Sequence, residues 1–237
     1  MTNLEMINWY RKLHLCVLLM ACSILSPAHS ELVPGTMDVH WNEGSKDCSK
    51  NPQQPIQVHR YNADTFILRE NLCATYEAPF IYLLVGKTTA LLIDTGAGGL
   101  RIRPTIDRII GEWRAKHRDR SLRLVVAHSH GHGDHHAGDG EFRDRPDTDI
   151  VGLAPEDVAA FFRIKNWPND IARFDLGGRT LDIIPTPGHQ PAHIMVYDAR
   201  TQLLFSGDML YPGRLYVPRA QFGQFRASVD RLAAFAA

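Results

Sequence analysis

The 237-residue chain has no surplus of charge, with 26 basic and 26 acidic side chains. A protein held to nucleic acid mainly through phosphate contacts needs a basic excess, so the balance speaks against that class of partner. Four cysteines are too few for a disulfide scaffold. The apolar run at residues 13–25 is interrupted by His14 and falls short of the ~20 residues that span a bilayer, so no stable membrane span is expected. Internal repeats and low-complexity stretches are also missing. What remains is ordinary globular composition, 44% apolar and 22% charged, at a length that suits one large domain or two small ones. Disordered, collagenous and coiled-coil chains are thereby set aside. The one unusual count is histidine: of 12, five lie between His128 and His136.

The first thirty residues read as an export signal. Arg11 and Lys12 form a positive start, residues 13–25 a short apolar stretch, and Ala28-His29-Ser30 a small-x-small cleavage site. A second route is lipoprotein processing at Cys22, since Leu19-Met20-Ala21-Cys22 resembles a lipobox, with Met20 a poor fit. Either way the protein is expected in the periplasm or outside the cell. Cleavage after Ser30 leaves 24 basic and 25 acidic side chains and only two cysteines, Cys48 and Cys73. An oxidising compartment permits those two to pair.

Residues 31–78 are expected to be an irregular N-terminal segment with one strand at 65–68, followed by the main domain at 79–237. Runs 80–85 and 90–93 read as a hairpin of buried strands. Ile106, Ile109, Ile110 and Trp113 follow i, i+3, i+4, i+7 spacing, which predicts an amphipathic helix over 104–117 with Pro104 in its first turn. Further strands are expected at 122–127, 149–153, 181–185, 194–197 and 202–205, and helices at 155–162 and 225–235. This alternation is that of an α/β fold.

The strand at 122–127 runs directly into His128-Ser129-His130-Gly131-His132-Gly133-Asp134-His135-His136. Imidazole and carboxylate suit zinc and neighbouring transition metals. His130 and His132 are two apart and can point the same way, while Asp134 and His135 follow on a turn. Gly131 and Gly133 are expected to remove bulk between these groups.

His130-x-His132-x-Asp134-His135 resembles the signature of the metallo-β-lactamase-fold hydrolases. Three more segments resemble that family's motifs in order: Leu91-Leu92-Ile93-Asp94-Thr95-Gly96, Thr186-Pro187-Gly188-His189 and Ser206-Gly207-Asp208. The resemblance covers residues 80–214. It implies an αβ/βα four-layer sandwich with metals at its edge. It assigns His130, His132 and His189 to a first metal, Asp134 and His135 to a second, and Asp208 to a bridge between them. Asp94 is implied to orient ligands, and His128, His136 and His193 to support them. The implied cofactor is zinc, two ions per full-length chain, with iron or manganese as alternatives.

The chemistry implied is hydrolysis of a small-molecule substrate by a metal-bridging hydroxide, with Asp134 orienting the nucleophile and passing a proton to the leaving group. Ser129 and Ser206 suit backbone support rather than attack. An Asp at position 208 resembles the thioesterase, lactonase and phosphodiesterase branches, whereas the export signal favours a β-lactam substrate. An ester, thioester or lactone is the first expectation, a β-lactam the second, and an iron-dependent persulfide dioxygenase the third. The family also supplies one more His to the second metal, from beyond the helix that follows the bridging Asp. No histidine follows His193, so the expectation is a domain incomplete at its C-terminus and a second metal short of one ligand.

Overall fold

A computed structural model describes residues 31–51, 53–118 and 121–237. The export signal expected over residues 1–30 lies outside the described residues. Two sheets carry the fold. The first contains β1 (Ile56–Arg60), β2 (Thr65–Glu70), β3 (Phe80–Val85), β4 (Thr89–Ile93), β5 (Arg123–Ala127) and β6 (Thr148–Ile150), in that spatial order. Pairing is antiparallel from β1 to β4 and parallel from β4 through β5 to β6. A parallel β4–β5 pair needs a crossover, and α1 (Arg103–His117) supplies it. The short α2 (Gly133–His136) follows β5, and α3 (Pro155–Phe162) follows β6. Asp157 accepts the N–H of Ala154 to close the first turn of α3.

The second sheet is antiparallel, with β7 (Ala172–Asp175), β8 (Thr180–Pro185), β9 (Ile194–Asp198) and β10 (Leu203–Phe205) in the order β10-β9-β8-β7. The last helix is α4 (Phe222–Ala236).

Strand alternation places the layers. Leu83, Leu92 and Leu124 face Ile106, Ile109, Ile110 and Trp113 of α1. Their neighbours Leu84, Leu91, Ile93 and Val125 face the opposite way, onto Leu181, Ile183, Ile194 and Val196 of the second sheet. On the far side of that sheet, Ile184 and Met195 meet Phe225, Leu232 and Phe235 of α4. The result is helix, sheet, sheet, helix: the αβ/βα sandwich. The two sheets are also joined by Arg179, whose guanidinium donates to Asp198 Oδ2 (2.7 Å), Thr65 Oγ1 (2.8 Å) and the carbonyl of Asp64 (2.7 Å).

Residues 31–78 are more regular than the expectation. β1 and β2 pair along Ile56–Glu70 and β2 pairs with β3, so this stretch supplies two strands of the first sheet. β7 was not expected either. The hairpin, α1 and α3 stand where the spacing predicts them, and α4 begins three residues earlier. Cys48 and Cys73 are bonded, with Cα atoms 5.3 Å apart.

Candidate metal centre

β5 ends at Ala127, and the chain leaves the sheet along its own direction into the histidine cluster. The Ser129 carbonyl accepts the N–H of Ile194, which ties this loop to the start of β9. The turn between β8 and β9, carrying His189 and His193, is thereby held against it.

His130 is buried, and its Nε2 lies 3.0 Å from His132 Nδ1. That atom is 2.9 Å from His189 Nε2. Ligand-capable atoms of His130, His132 and His189 all fall within 4.8 Å of one another, as do those of His130, His135 and Asp208. His135 Nε2 is 3.2 Å from Asp134 Oδ2 and 3.6 Å from Asp208 Oδ1, and the other Asp208 oxygen is 3.7 Å from His189 Nε2. Asp208 therefore reaches both groups. All six residues expected as ligands converge on one edge of the sandwich, although Asp134 meets the second group only through His135.

The supports are equally specific. Asp94, at the end of β4 with φ +68°, accepts the Ser129 N–H (2.7 Å) and hydroxyl (2.9 Å). Its Oδ2 also takes the Nδ1–H of His135 at 2.8 Å, which turns Nε2 toward Asp134 and Asp208. His189 donates from Nδ1 to the carbonyl of Tyr216. His193 bonds Thr186 Oγ1 through Nδ1 (2.8 Å) and stacks on His130, centroids 5.3 Å apart. His128 donates to Asp139 (2.9 Å), and His136 packs on the edge of His128. Asp139 also accepts the Thr95 hydroxyl at 2.8 Å. Ser206 donates to the Leu210 carbonyl, a backbone support.

Two glycines illustrate the crowding. A Cβ on Gly207, at φ +50°, would lie 2.7 Å from Ser129 Cβ and 2.8 Å from His193 Nε2. Gly207 thus lets the Asp208 turn seat directly on the cluster. At Gly131 a Cβ would come within 3.0 Å of the Gln190 amide, which is not one of the expected ligands, and at Gly133 it would meet open space. Relief of bulk between the expected ligands therefore explains neither glycine.

Burial and the surrounding imidazoles hold the His130 ring far below the ordinary histidine value. Burial and His189 also lower His132, and burial holds His193 well below the ordinary value. Burial also disfavours charge on His135, but Asp94 and Asp134 outweigh it and lift the ring to about 10. The bond to His135 lowers Asp134. Neutral rings with unprotonated nitrogens on one side and carboxylates gathered around His135 on the other form a donor set that fits divalent cations. The pull that retains a proton on His135 is one a cation would relieve.

Some contributors carry no sequence signal. Tyr216 acts through a backbone carbonyl, and Asp139 and Glu70 lie outside every motif. Glu70 accepts the Ala97 N–H (3.3 Å) beneath the turn that follows Asp94.

Residues 75–234 match the family model of the metallo-beta-lactamase superfamily. The chain is 30% identical over 121 residues to hydroxyacylglutathione hydrolase of Rhizobium meliloti (strain 1021), a match covering 48% of this chain and 43% of that protein. It is 25% identical over 200 residues to acyl-coenzyme A thioesterase MBLAC2 of Homo sapiens, covering 70% of this chain and 71% of the relative. A metallo-beta-lactamase from Pontibacter korlensis has the same fold, with a TM-score of 0.51 at 21% identity over 75% of this chain and 84% of that one. Matches to the hydroxyacylglutathione hydrolases span about half of those proteins' length. With four ordered motifs, the sandwich and a family match over residues 75–234, the chain belongs to the metallo-β-lactamase superfamily.

Proposed function

We propose that this chain is an exported, zinc-dependent hydrolase of a small thioester, with simple esters and lactones as related substrates. The observation that carries the reading is the convergence of two ligand groups, His130/His132/His189 and His130/His135/Asp208, joined by Asp208. The names of relatives, one a glutathione thioester hydrolase and one an acyl-coenzyme A thioesterase, support a thioester over other acyl compounds. Export rests on the leader read in residues 1–30.

In this reading His130, His132 and His189 would hold a first zinc ion and Asp134 and His135 a second, with Asp208 within reach of both groups. Zinc, when bound, would supply Lewis-acid polarisation of a carbonyl and a water acidic enough to serve as nucleophile near neutral pH. The chain's own residues do the rest. Asp94 fixes the His135 ring through Nδ1, and the Tyr216 carbonyl does the same for His189. Asp134 is a carboxylate at the edge of the cluster, 3.2 Å from His135 Nε2, and beside a bound cation it would be ionised, able to orient the attacking water and carry its proton to the leaving thiolate. Ser129 is engaged with Asp94 and is not the nucleophile.

The test is a hydrolysis screen over an acyl thioester, a lactone and a chromogenic β-lactam, run after chelation and again with zinc restored. Thioester turnover that disappears on chelation and returns with zinc is expected. Turnover of the β-lactam alone, or activity that needs a redox-active iron, would overturn the assignment.

A further inference from the structure

A cleft of about 470 Å³ opens at the end of β4 and β5 opposite the histidine cluster, a volume within the range of small-molecule sites. Its walls include Lys87 of the β3–β4 turn, Gly177 of the β7–β8 turn, Trp113 and His117 of α1, and Asp64 and Arg200. Lys87 stands before the first residue of β4 and Asp94 after the last. The five residues between them put the cleft roughly 17 Å from that support of the candidate metal centre. A ligand held here would not touch the histidine–aspartate cluster.

The two turns dock on each other at a glycine. A Cβ on Gly177, at φ +93°, would lie 2.6 Å from Thr88 Oγ1. The Lys87 N–H donates to the Gly177 carbonyl (3.2 Å), and the Lys87 side chain passes over Gly178, with Nζ 3.8 Å from where a Cβ would stand. On the α1 side, the exposed His117 ring stacks on the Trp113 indole, centroids 4.0 Å apart, and its Nδ1–H donates to the Trp113 carbonyl at 2.8 Å. One wall of the cleft is therefore a pair of flat rings.

The hydrogen-bond inventory sets the charge of a fitting ligand. Asp64 Oδ1 accepts the Trp113 Nε1–H (2.8 Å), and the Asp64 carbonyl accepts from Arg179 (2.7 Å). The N–H groups of Gly177 and Gly178 are both spent on Asp175 Oδ1 at 2.9 Å, and that of Gly86 on the Thr89 carbonyl, also at 2.9 Å. The groups left over are cationic. Lys87 is exposed and has no ion pair among the described residues. Arg200 has a single ion pair, a long 3.5 Å contact with Asp64 Oδ2. Basic residues in the last turn of α1 complement the helix dipole, but Lys87 and Arg200 belong to other elements and have no such explanation.

We propose that this cleft binds a planar organic anion, with its carboxylate or phosphate between Lys87 and Arg200 and its ring against the Trp113–His117 wall. Two cations from different elements converge on an acceptor-rich group, and charge-assisted bonds to it are the strong kind. The rings add apolar contact at low conformational cost. The site is independent of the hydrolase reading and stands whatever the metal centre acts upon. Because its walls come from α1 and from turns of both sheets, an occupant also stabilises the folded chain in proportion to its affinity.

The experiment is calorimetry on the intact chain with 2-naphthoate and adenosine monophosphate, a carboxylate and a phosphate each joined to a planar ring. Their partial counterparts are 2-naphthalenemethanol, adenosine and inorganic phosphate. One equivalent of at least one anion should bind about tenfold or more tighter than its counterparts, and the preferred anion identifies the headgroup. Lys87→Gln and Arg200→Gln should each weaken that anion at least about fivefold and leave zinc binding unchanged. Neither side chain is buried, so neither substitution opens the core. Absence of saturable binding by both anions overturns the proposal, as does equal affinity for charged and uncharged compounds. Inorganic phosphate binding as tightly as the nucleotide, with 2-naphthoate not binding, overturns the role of the aromatic wall. Anion binding that survives both substitutions and is displaced from the zinc-loaded chain by chelation assigns the anion to the metal centre and overturns the cleft.

Discussion

At the scale of single residues, His132 is the most exposed member of the cluster and links His130 to His189. Replacing His132 with Ala should abolish hydrolysis and lower zinc content, because one of three ligands of the first site is gone. Unchanged stoichiometry and turnover would remove His132 from the site. Glu70 makes a different prediction. Burial pushes its carboxyl from the ordinary 4.5 up to about 7, against one opposing bond from the Ala97 N–H. The folded chain therefore binds that proton more tightly than the unfolded chain, and stability falls as pH rises from about 4.5 to 7. Glu70→Gln should flatten this window in denaturant titrations and leave the variant more stable than the parent above pH 7. An identical pH dependence in both proteins would contradict the assignment. The expected ligands were legible because their side chains sit in ordered motifs, whereas Glu70 and Asp139 act through contacts made only by the fold. The Tyr216 carbonyl is common to every residue type and leaves no trace in a sequence.

At the scale of elements, legibility followed burial. β4 and β5 have Leu, Val and Ile on both faces, one toward α1 and one toward the second sheet, and their runs are plain in the sequence. β1 and β7 are edge strands. In Ile56–Arg60 only two large apolar residues alternate with polar ones, and in Ala172–Asp175 Phe174 is the one large apolar side chain, so neither pattern rises above a loop. The Cys48–Cys73 bond ties the N-terminal segment to the Tyr76 loop. Thiol labelling of the denatured, unreduced protein lacking residues 1–30, which carry Cys16 and Cys22, should find both cysteines protected, and reduction should cost about 3 kcal/mol in the chain-entropy model. Two reactive thiols would disprove the pairing in solution.

At the scale of the whole molecule, the sandwich is held by its three apolar layers and by polar links between the sheets, among them a buried ion pair. Arg179 and Asp198 are 1% and 0% exposed, and Arg179 reaches four acceptors across the two sheets. Arg179→Ala leaves a buried carboxylate without its cation, so thermal or denaturant unfolding should report a loss of about 3–5 kcal/mol. A loss under about 1 kcal/mol would show that the link is incidental. The candidate metal centre depends on this frame, since one half comes from the end of the first sheet and the other from turns of the second. A calorimetric titration of zinc into the chelator-stripped chain tests the account most directly. It predicts saturable binding with a first equivalent held tightly by His130, His132 and His189. A second, weaker equivalent should follow at Asp134, His135 and Asp208, where sequence and fold supply fewer imidazoles. A chain that folds and shows no saturable zinc binding would contradict the claim that this cluster is a metal centre.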